Sequence, residues 1–304
     1  MNWGCSFLRR KQVTRSLSSD GRFSIRACTR NPNSAAAQEL NKLPNVTVIQ
    51  ADYDDEESLV AAFQGAEAVF GLTNFFDPAV QRDTDVEVKQ GRRMGDVCKR
   101  LGVGVFIWST SPSGLVGAGV SQRVFENKYA VSQYLAEKDI AHVDVYVGTY
   151  MDNWRRLGGF ARTADGARLQ LTLPVWERHA KIGLTYVEKD LGATVVAVLD
   201  NYRAKPAILT EPVYCIAGLW SSGDMVQEIK RQLGEEVTLI TTSTCGNPYL
   251  DHAYRSFNAW GVALDVNLPH PSHTLLGIEL HTLEDYVRED VVPFVKADKT
   301  LRIP

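Results

Sequence analysis

Several things are missing from this sequence, and each absence excludes a class of protein. There is no Cys-x-x-Cys pair. The five cysteines, Cys5, Cys28, Cys98, Cys215 and Cys245, are odd in number and far apart. Such spacing builds neither a zinc site nor a redox dithiol, and it suits reduced thiols inside a cytoplasmic or nuclear protein. No apolar run approaches the roughly 18–20 residues that cross a bilayer, so no membrane partner is expected. Charge of one sign is also lacking. The 33 Lys and Arg stand against 36 Asp and Glu, for a net charge of −3. That balance gives no general attraction to nucleic acid, and no direct nucleic-acid partner is expected. There is no Gly-x-Ser-x-Gly elbow and no Ser–His–Asp arrangement. One absence is local. The first 19 residues contain no acid, yet they carry Arg9, Arg10, Lys11 and Arg15. An Arg- and Ser-rich, acid-poor start has some likeness to a mitochondrial presequence. A degraded or displaced first helix is the better reading.

What is present is 304 residues, 44% hydrophobic and 23% charged, the composition of a globular chain with a real core. Residues 22–29 alternate apolar and polar and read as a strand ending at Arg30-Asn31-Pro32. A helix over 34–43, a strand over 45–50 and a helix opened by Asp54-Asp55-Glu56-Glu57 follow. Strands at 66–72, 103–109 and 143–147 alternate with helices over 83–101 and 125–138. Beyond residue 150 we expect a short helical piece over 151–165 and strands at 169–175, 207–210 and 237–241. Helices are expected over 186–201 and 221–233. The early connections are too short for anything but parallel crossovers. The fold class is therefore α/β, a Rossmann-like doubly wound parallel sheet with a smaller C-terminal lobe. Residues 1–152 form the nucleotide-binding part, with 1–19 altered. Residues 153–304 are mainly a substrate or partner lobe, with segments returning to the main sheet.

Sheets of this kind usually begin with a strand, a Gly-rich turn and a helix whose N-terminus holds a pyrophosphate. Here three residues precede Gly4, too few for a strand. The next strand keeps its equipment. It ends on Arg30, and a guanidinium there is a planar fork suited to a ribose 2′-phosphate.

At this point the residues resemble a family. Thr29-Arg30-Asn31-Pro32, Ala51-Asp52-Tyr53-Asp54-Asp55 and Leu72-Thr73-Asn74-Phe75-Phe76 look like the NmrA-like family of atypical short-chain dehydrogenases. Glu87-Val88-Lys89-Gln90-Gly91, Phe125-Glu126-Asn127-Lys128 and Tyr150-Met151-Asp152-Asn153-Trp154 extend the resemblance from about residue 20 to 290. The resemblance implies an NADP(H) cofactor, with NADPH preferred over NADH. It places Arg30 on the adenosine 2′-phosphate and Asp52 and Tyr53 beside the adenine. Thr73, Asn74 and Phe75 would line the path to the nicotinamide, with Ser109 to Ser111 near the reactive ring. Lys128 would bind the nicotinamide ribose and is the candidate catalytic residue. Tyr150 and Asn153 would belong to the loop beneath the second lobe.

The departures matter as much. Laid on the family's Gly-x-x-Gly-x-x-Gly turn, this chain offers Gly4, Phe7 and Arg10, and a Cβ blocks close approach of backbone to phosphate. We therefore expect an altered start, and a gap beside the second strand where the first would lie. The Tyr of Tyr-x-x-x-Lys is also absent, because Val124 stands four residues before Lys128. Tyr134 and Lys138 have the spacing, but they lie too far along the helix. His270 and His273 read as solvated loop histidines, and Cys98 as a core residue. Two functions follow from the resemblance. One is an NADP(H)-sensing regulator, with a GATA-type transcription factor as the partner the family implies. The other is an NADPH-dependent reductase of a small carbonyl or quinone-like substrate, with Phe75, Phe76 and Trp108 lining its pocket. A third reading is an N-terminally altered form that has lost nucleotide binding.

Overall fold

The computed structural model describes residues 5–111, 123–156, 159–163, 166, 168–260 and 266–297. The first half runs α1 (Cys5–Asp20), β1 (Ile25–Thr29), α2 (Ala35–Leu40), β2 (Val46–Gln50), α3 (Glu56–Phe63), β3 (Ala68–Gly71), α4 (Pro78–Arg82), α5 (Asp85–Leu101), β4 (Val105–Thr110), α6 (Arg123–Glu137) and β5 (His142–Val147). The second runs β6 (Thr149–Tyr150), α7 (Asp152–Arg156), β7 (Phe160–Arg162), β8 (Leu169–Pro174), β9 (Lys181–Thr185), α8 (Val187–Asn201), β10 (Val213–Cys215) and β11 (Gly218–Ser221). It closes with α9 (Ser222–Leu233), β12 (Val237–Thr242), α10 (Pro248–Trp260), α11 (Ser272–Leu276), α12 (Leu283–Tyr286) and α13 (Val292–Ala297).

The largest sheet has the order β10-β5-β4-β3, and every pair in it is parallel. Its centre is β4, whose six residues are all buried. A strand covered on both faces needs a continuous apolar run, which is how Val105 to Trp108 read in the sequence. Successive side chains then serve opposite layers. Phe106 and Trp108 join the core with Leu59, Met94 and Leu135 of α3, α5 and α6. Val105 and Ile107 join the opposite core with Val13 of α1 and Leu191 and Val195 of α8. A third core fills the C-terminal region, from Leu169 and Leu171 to Tyr286 and Val295, and takes in Phe75, Val80 and Val124. Two small sheets, β11-β9-β6 and β12-β8-β7, carry it.

The pair β1–β2 stands apart from the main sheet. Ile25 N–H donates to the Asn45 carbonyl and Ala51 N–H donates to the Thr29 carbonyl. Alternation then turns the backbone groups of Arg26 and Cys28 away from β2. By the same reasoning Ala68 and Phe70 of β3 turn away from β4. Among the described residues no strand lies between these two edges. Burial agrees: only Ile25 of β1 is buried, and β3 alternates half-buried with buried residues.

α1 bridges the two pieces. Its Val13 is 3% exposed, in the core beneath β4 and β5. It lies so close to α8 that a Cβ on Gly192 would stand 1.9 Å from Ser16 Oγ. On its other side Ser18 Oγ donates to the Pro44 carbonyl at 2.8 Å, and Lys11 pairs with Glu39 at 3.5 Å. The basic start is thus a packed helix. Gly4 lies outside the described residues, as does Gly158 of the expected 151–165 piece.

Most expected elements are present with shifted ends, including the stop of α5 at Gly102 in the left-handed region (φ 66°). Two expectations fail. Residues 207–210 are not a strand: Pro206–Leu209 is a 3₁₀ turn, and Val213–Cys215 pairs with β5 instead. Nor is His273 solvated, and His270 is half-buried. His273 is buried with Nε2 on the Tyr214 carbonyl, and the His270 ring lies 4.3 Å from that of Tyr214. Cys98 is a core residue, and burial pushes its thiol up to about 12. No helix among the described residues is long and apolar enough to cross a membrane.

The divided sheet makes a direct prediction for amide hydrogen exchange. The amides of Arg26, Cys28, Ala68 and Phe70 should exchange on the order of a hundredfold faster than that of Ile107 in β4. Equal protection at all five would mean that the gap is closed.

Candidate functional site

Parallel strands joined by right-handed crossovers place their carboxyl ends along one edge. Arg30 follows β1, Asp52 and Tyr53 follow β2, and Thr73 and Asn74 follow β3. Ser109 lies within β4, fully buried, one residue before its end.

The centre of this edge is a buried ion pair. α5 and α6 approach through small residues. A Cβ on Gly91 would lie 2.5 Å from Val131 Cγ2, and one on Gly95 would lie 2.4 Å from Leu135 Cδ2. One turn further toward the N-termini, the same close approach brings Glu87 against Lys128. The side chains are 0% and 8% exposed, so water screens neither. Lys128 Nζ donates to Glu87 Oε1 and, at 3.0 Å, to Thr73 Oγ1. Thr73 Oγ1 in turn donates to Glu87 Oε1 at 2.7 Å. Trp108 Nε1 holds the Lys128 carbonyl at 3.1 Å. One turn on, Ser132 Oγ donates to Asp144 Oδ1 at 3.0 Å, and burial pushes that carboxyl up to about 6. Glu87 Oε2 is buried with no partner among the described residues.

Where the resemblance places the adenosine, Arg30 Nη2 pairs with Asp77 Oδ2 at 2.7 Å. Tyr53 offers its carbonyl to Arg93, while Asp52 N–H donates to Ser58 Oγ at 2.9 Å. Asn74 Oδ1 accepts from Phe76 N–H at 3.2 Å and so shapes the turn after β3.

Other expected residues serve packing. Phe75 is 3% exposed, its ring edge-on to Phe76 and Tyr249 in the C-terminal core. Trp108 is fully buried and is a core residue rather than a pocket wall. Tyr150 lies in the core shared by β5 and α8, and Asn153 is half-buried in α7. The stretch around them has a structural task. Asp152 accepts from Val187 and Glu188 N–H at 2.8 and 3.0 Å, and burial pushes its carboxyl up to about 6. Trp154 stacks on Trp176 at 5.4 Å. Tyr134 hydrogen-bonds Asp96 at 2.8 Å, and its phenol is shifted up, chiefly by burial, the opposite of an activated acid.

Two acids escaped the sequence reading. Glu87 lies on a helix face otherwise made of Gly91, Met94, Gly95 and Cys98, and an acid on such a face needs a buried cation. Asp77 precedes Pro78, the pattern of a helix N-cap followed by proline at the first helical position.

A nicotinamide dinucleotide needs an anchor at each end and a cradle for its pyrophosphate. The two ends fit. The orphaned Glu87 Oε2 beside Lys128 offers an acceptor and a donor to a sugar diol, and the Arg30 side chain is 62% exposed at the other end. The middle does not fit: Phe7 and Arg10 lie within α1 at two of the expected glycine positions.

Comparison with known proteins identifies the family and the fold. The NmrA-like family pattern matches residues 10–245. The NmrA-like family domain-containing oxidoreductase hkm9 of Aspergillus hancockii is 30% identical over 203 residues, 63% of this chain and 60% of that protein. The corresponding notA protein of an Aspergillus species is 33% identical over 214 residues, covering 64% and 62%. The chain thus spans about three fifths of the length of the curated relatives it matches. Among solved structures, the negative transcriptional regulator NmrA in complex with NADP superposes with a TM-score of 0.74 at 18% identity, covering 95% and 94% of the two chains. NADPH-dependent quinone oxidoreductase from Escherichia coli, with NADPH, gives 0.64 at 20%, covering 91% and 94%. The chain is a member of the NmrA-like family, with that family's Rossmann-like α/β fold.

Proposed function

We propose that this chain binds NADP(H) and works as a nucleotide-responsive regulator. The observation that carries the reading is the state of Lys128. In a Tyr-x-x-x-Lys site the lysine lowers the pKa of a neighbouring phenol, which then exchanges a proton with substrate. Here Val124 stands in that register, and Glu87 and Thr73 engage the ammonium. Such a lysine binds and orients, and no tyrosine stands in the usual register. Arg30 and Lys128 would hold the two ends of the cofactor, with Glu87 Oε2 accepting from a ribose hydroxyl. The cofactor, when bound, supplies a hydride donor or acceptor at its nicotinamide. A regulator uses binding itself, because a ligand shifts a conformational equilibrium by its differential affinity for the two states. A GATA-type transcription factor, in the cytoplasm or nucleus, is the partner this reading suggests.

The relatives' names favour a second reading. The curated proteins at 30–33% identity are called oxidoreductases. In that case the chain reduces a small carbonyl or quinone-like substrate, with Lys128 as the proton source.

Calorimetric titration tests the first reading. NADP+ should bind more tightly than NAD+, and Arg30→Ala should remove the difference. No heat with either nucleotide would overturn nucleotide binding itself. NADPH should not be oxidised against a panel of carbonyls and quinones. Turnover that Lys128→Ala abolishes would establish the reductase.

The buried pair makes an energetic prediction. Glu87→Gln or Lys128→Met alone should cost about 3–5 kcal/mol in denaturant unfolding, because each leaves a buried charge uncompensated. The double variant should cost clearly less than the sum, and strict additivity would contradict direct coupling.

A further inference from the structure

Arg30 has a second possible anion, and the structure shows which one holds it. Asp77 is fixed in place. Its Oδ1 accepts from Ala79 N–H at 2.9 Å and caps α4, and its backbone N–H donates to the Asn74 carbonyl at 3.0 Å. That leaves Oδ2 for Arg30 Nη2, at 2.7 Å. The two residues come from different pieces of the divided sheet: Arg30 follows β1, and Asp77 lies beyond β3. The ion pair therefore straps the cleft along the carboxyl edge. Asp77 is largely buried, with an 11% exposed side chain, whereas the Arg30 side chain is 62% exposed. The carboxylate is the fixed partner and the guanidinium the movable one.

The contact uses one nitrogen of a fork built for two. Nε and Nη1 of Arg30 have no partner among the described residues. A phosphate dianion can take two parallel N–H bonds from the same fork, which is stronger and more directional than one. An ion pair with one exposed partner is also weak enough to be exchanged.

We propose that Asp77 is a specificity-determining residue, a carboxylate that competes with the ribose 2′-phosphate of NADP(H) for Arg30. The inference rests on the nucleotide-binding reading above. NAD(H) carries no 2′-phosphate, so it leaves the Arg30–Asp77 pair intact. NADP(H) must open the pair, and its affinity is lowered by what the pair contributes. Asp77 thus narrows the preference that Arg30 creates. Neutralising it should sharpen that preference.

The test is titration of wild type and Asp77→Asn with NADP+ and with NAD+. Asparagine keeps an N-cap oxygen for α4 while losing the charge. Asp77→Ser serves as a second capped variant should the first prove unstable. The expected result is a Kd for NADP+ about three- to fivefold lower, with that for NAD+ changed by less than about twofold. In an Arg30→Ala background, Asp77→Asn should have no effect on either nucleotide. If wild type binds NADP+ and Asp77→Asn leaves its Kd unchanged or raises it, the competition is overturned and the nucleotide-binding reading stands. Equal tightening for NAD+ would mean a general charge effect and would overturn it as well. If wild type binds neither nucleotide, the reading and this inference fall together.

Discussion

A parallel sheet is buried on both faces, so each inner strand needs a neighbour at both edges to satisfy its backbone. Among the described residues that condition is met from β3 to β10 and not between β1 and β3. The rest of the molecule is arranged around the break. α1 sits on α8 through Gly192 and Ser16, puts Val13 into the core under β4, and reaches across to Pro44 and Glu39 beside β2. Arg22 ties the loop after α1 to Asp200 at the end of α8. Arg26 ties β1 to the end of α3 through the carbonyls of Ala62 and Gln64. Side-chain and helix packing thus do what a shared ladder of backbone hydrogen bonds would otherwise do. Dispersed contacts of this kind fix the position of β1 less firmly than a ladder would.

The same division shapes the chemistry. A dinucleotide laid along the carboxyl edge would meet a cation at each end. Each cation already has a carboxylate, Asp77 for Arg30 and Glu87 for Lys128. The two pairs differ in kind. The Arg30 pair is accessible and exchangeable. The Lys128 pair is buried, reinforced by Thr73, and costly to break. The first suits recognition of a ligand that comes and goes. The second suits a fixed orienting group. Neither supplies a phenol, and the middle of the edge supplies no glycine cradle among the described residues.

Much of this was legible in the sequence, for physical reasons that differ by element. β4 declared itself by an unbroken apolar run, and α5 by its repeat of buried residues and its stop at Gly102. β10 was misread because three residues are too few to show a period, while residues 207–210 mimic one. β9 and β11 were missed although they are as long as β1 and β3. The partners of the site cations were the least legible. Glu87 pairs with a residue 41 positions away and Asp77 with one 47 away. Spacing within one helix or strand says nothing about such pairs. Phe75 and Trp108 carried the chemistry expected of a pocket wall, but aromatic rings fill cores as readily as they line clefts.

We propose that this chain grips a nicotinamide dinucleotide by its ends. Phosphorus NMR of NADP+ added to the wild-type protein tests this most directly, because the 2′-phosphate and the pyrophosphate give separate signals. The 2′-phosphate resonance should shift and broaden on binding, and the pyrophosphate resonances should move distinctly less. A pyrophosphate shift with the 2′-phosphate unmoved, or no change in either, would contradict the account.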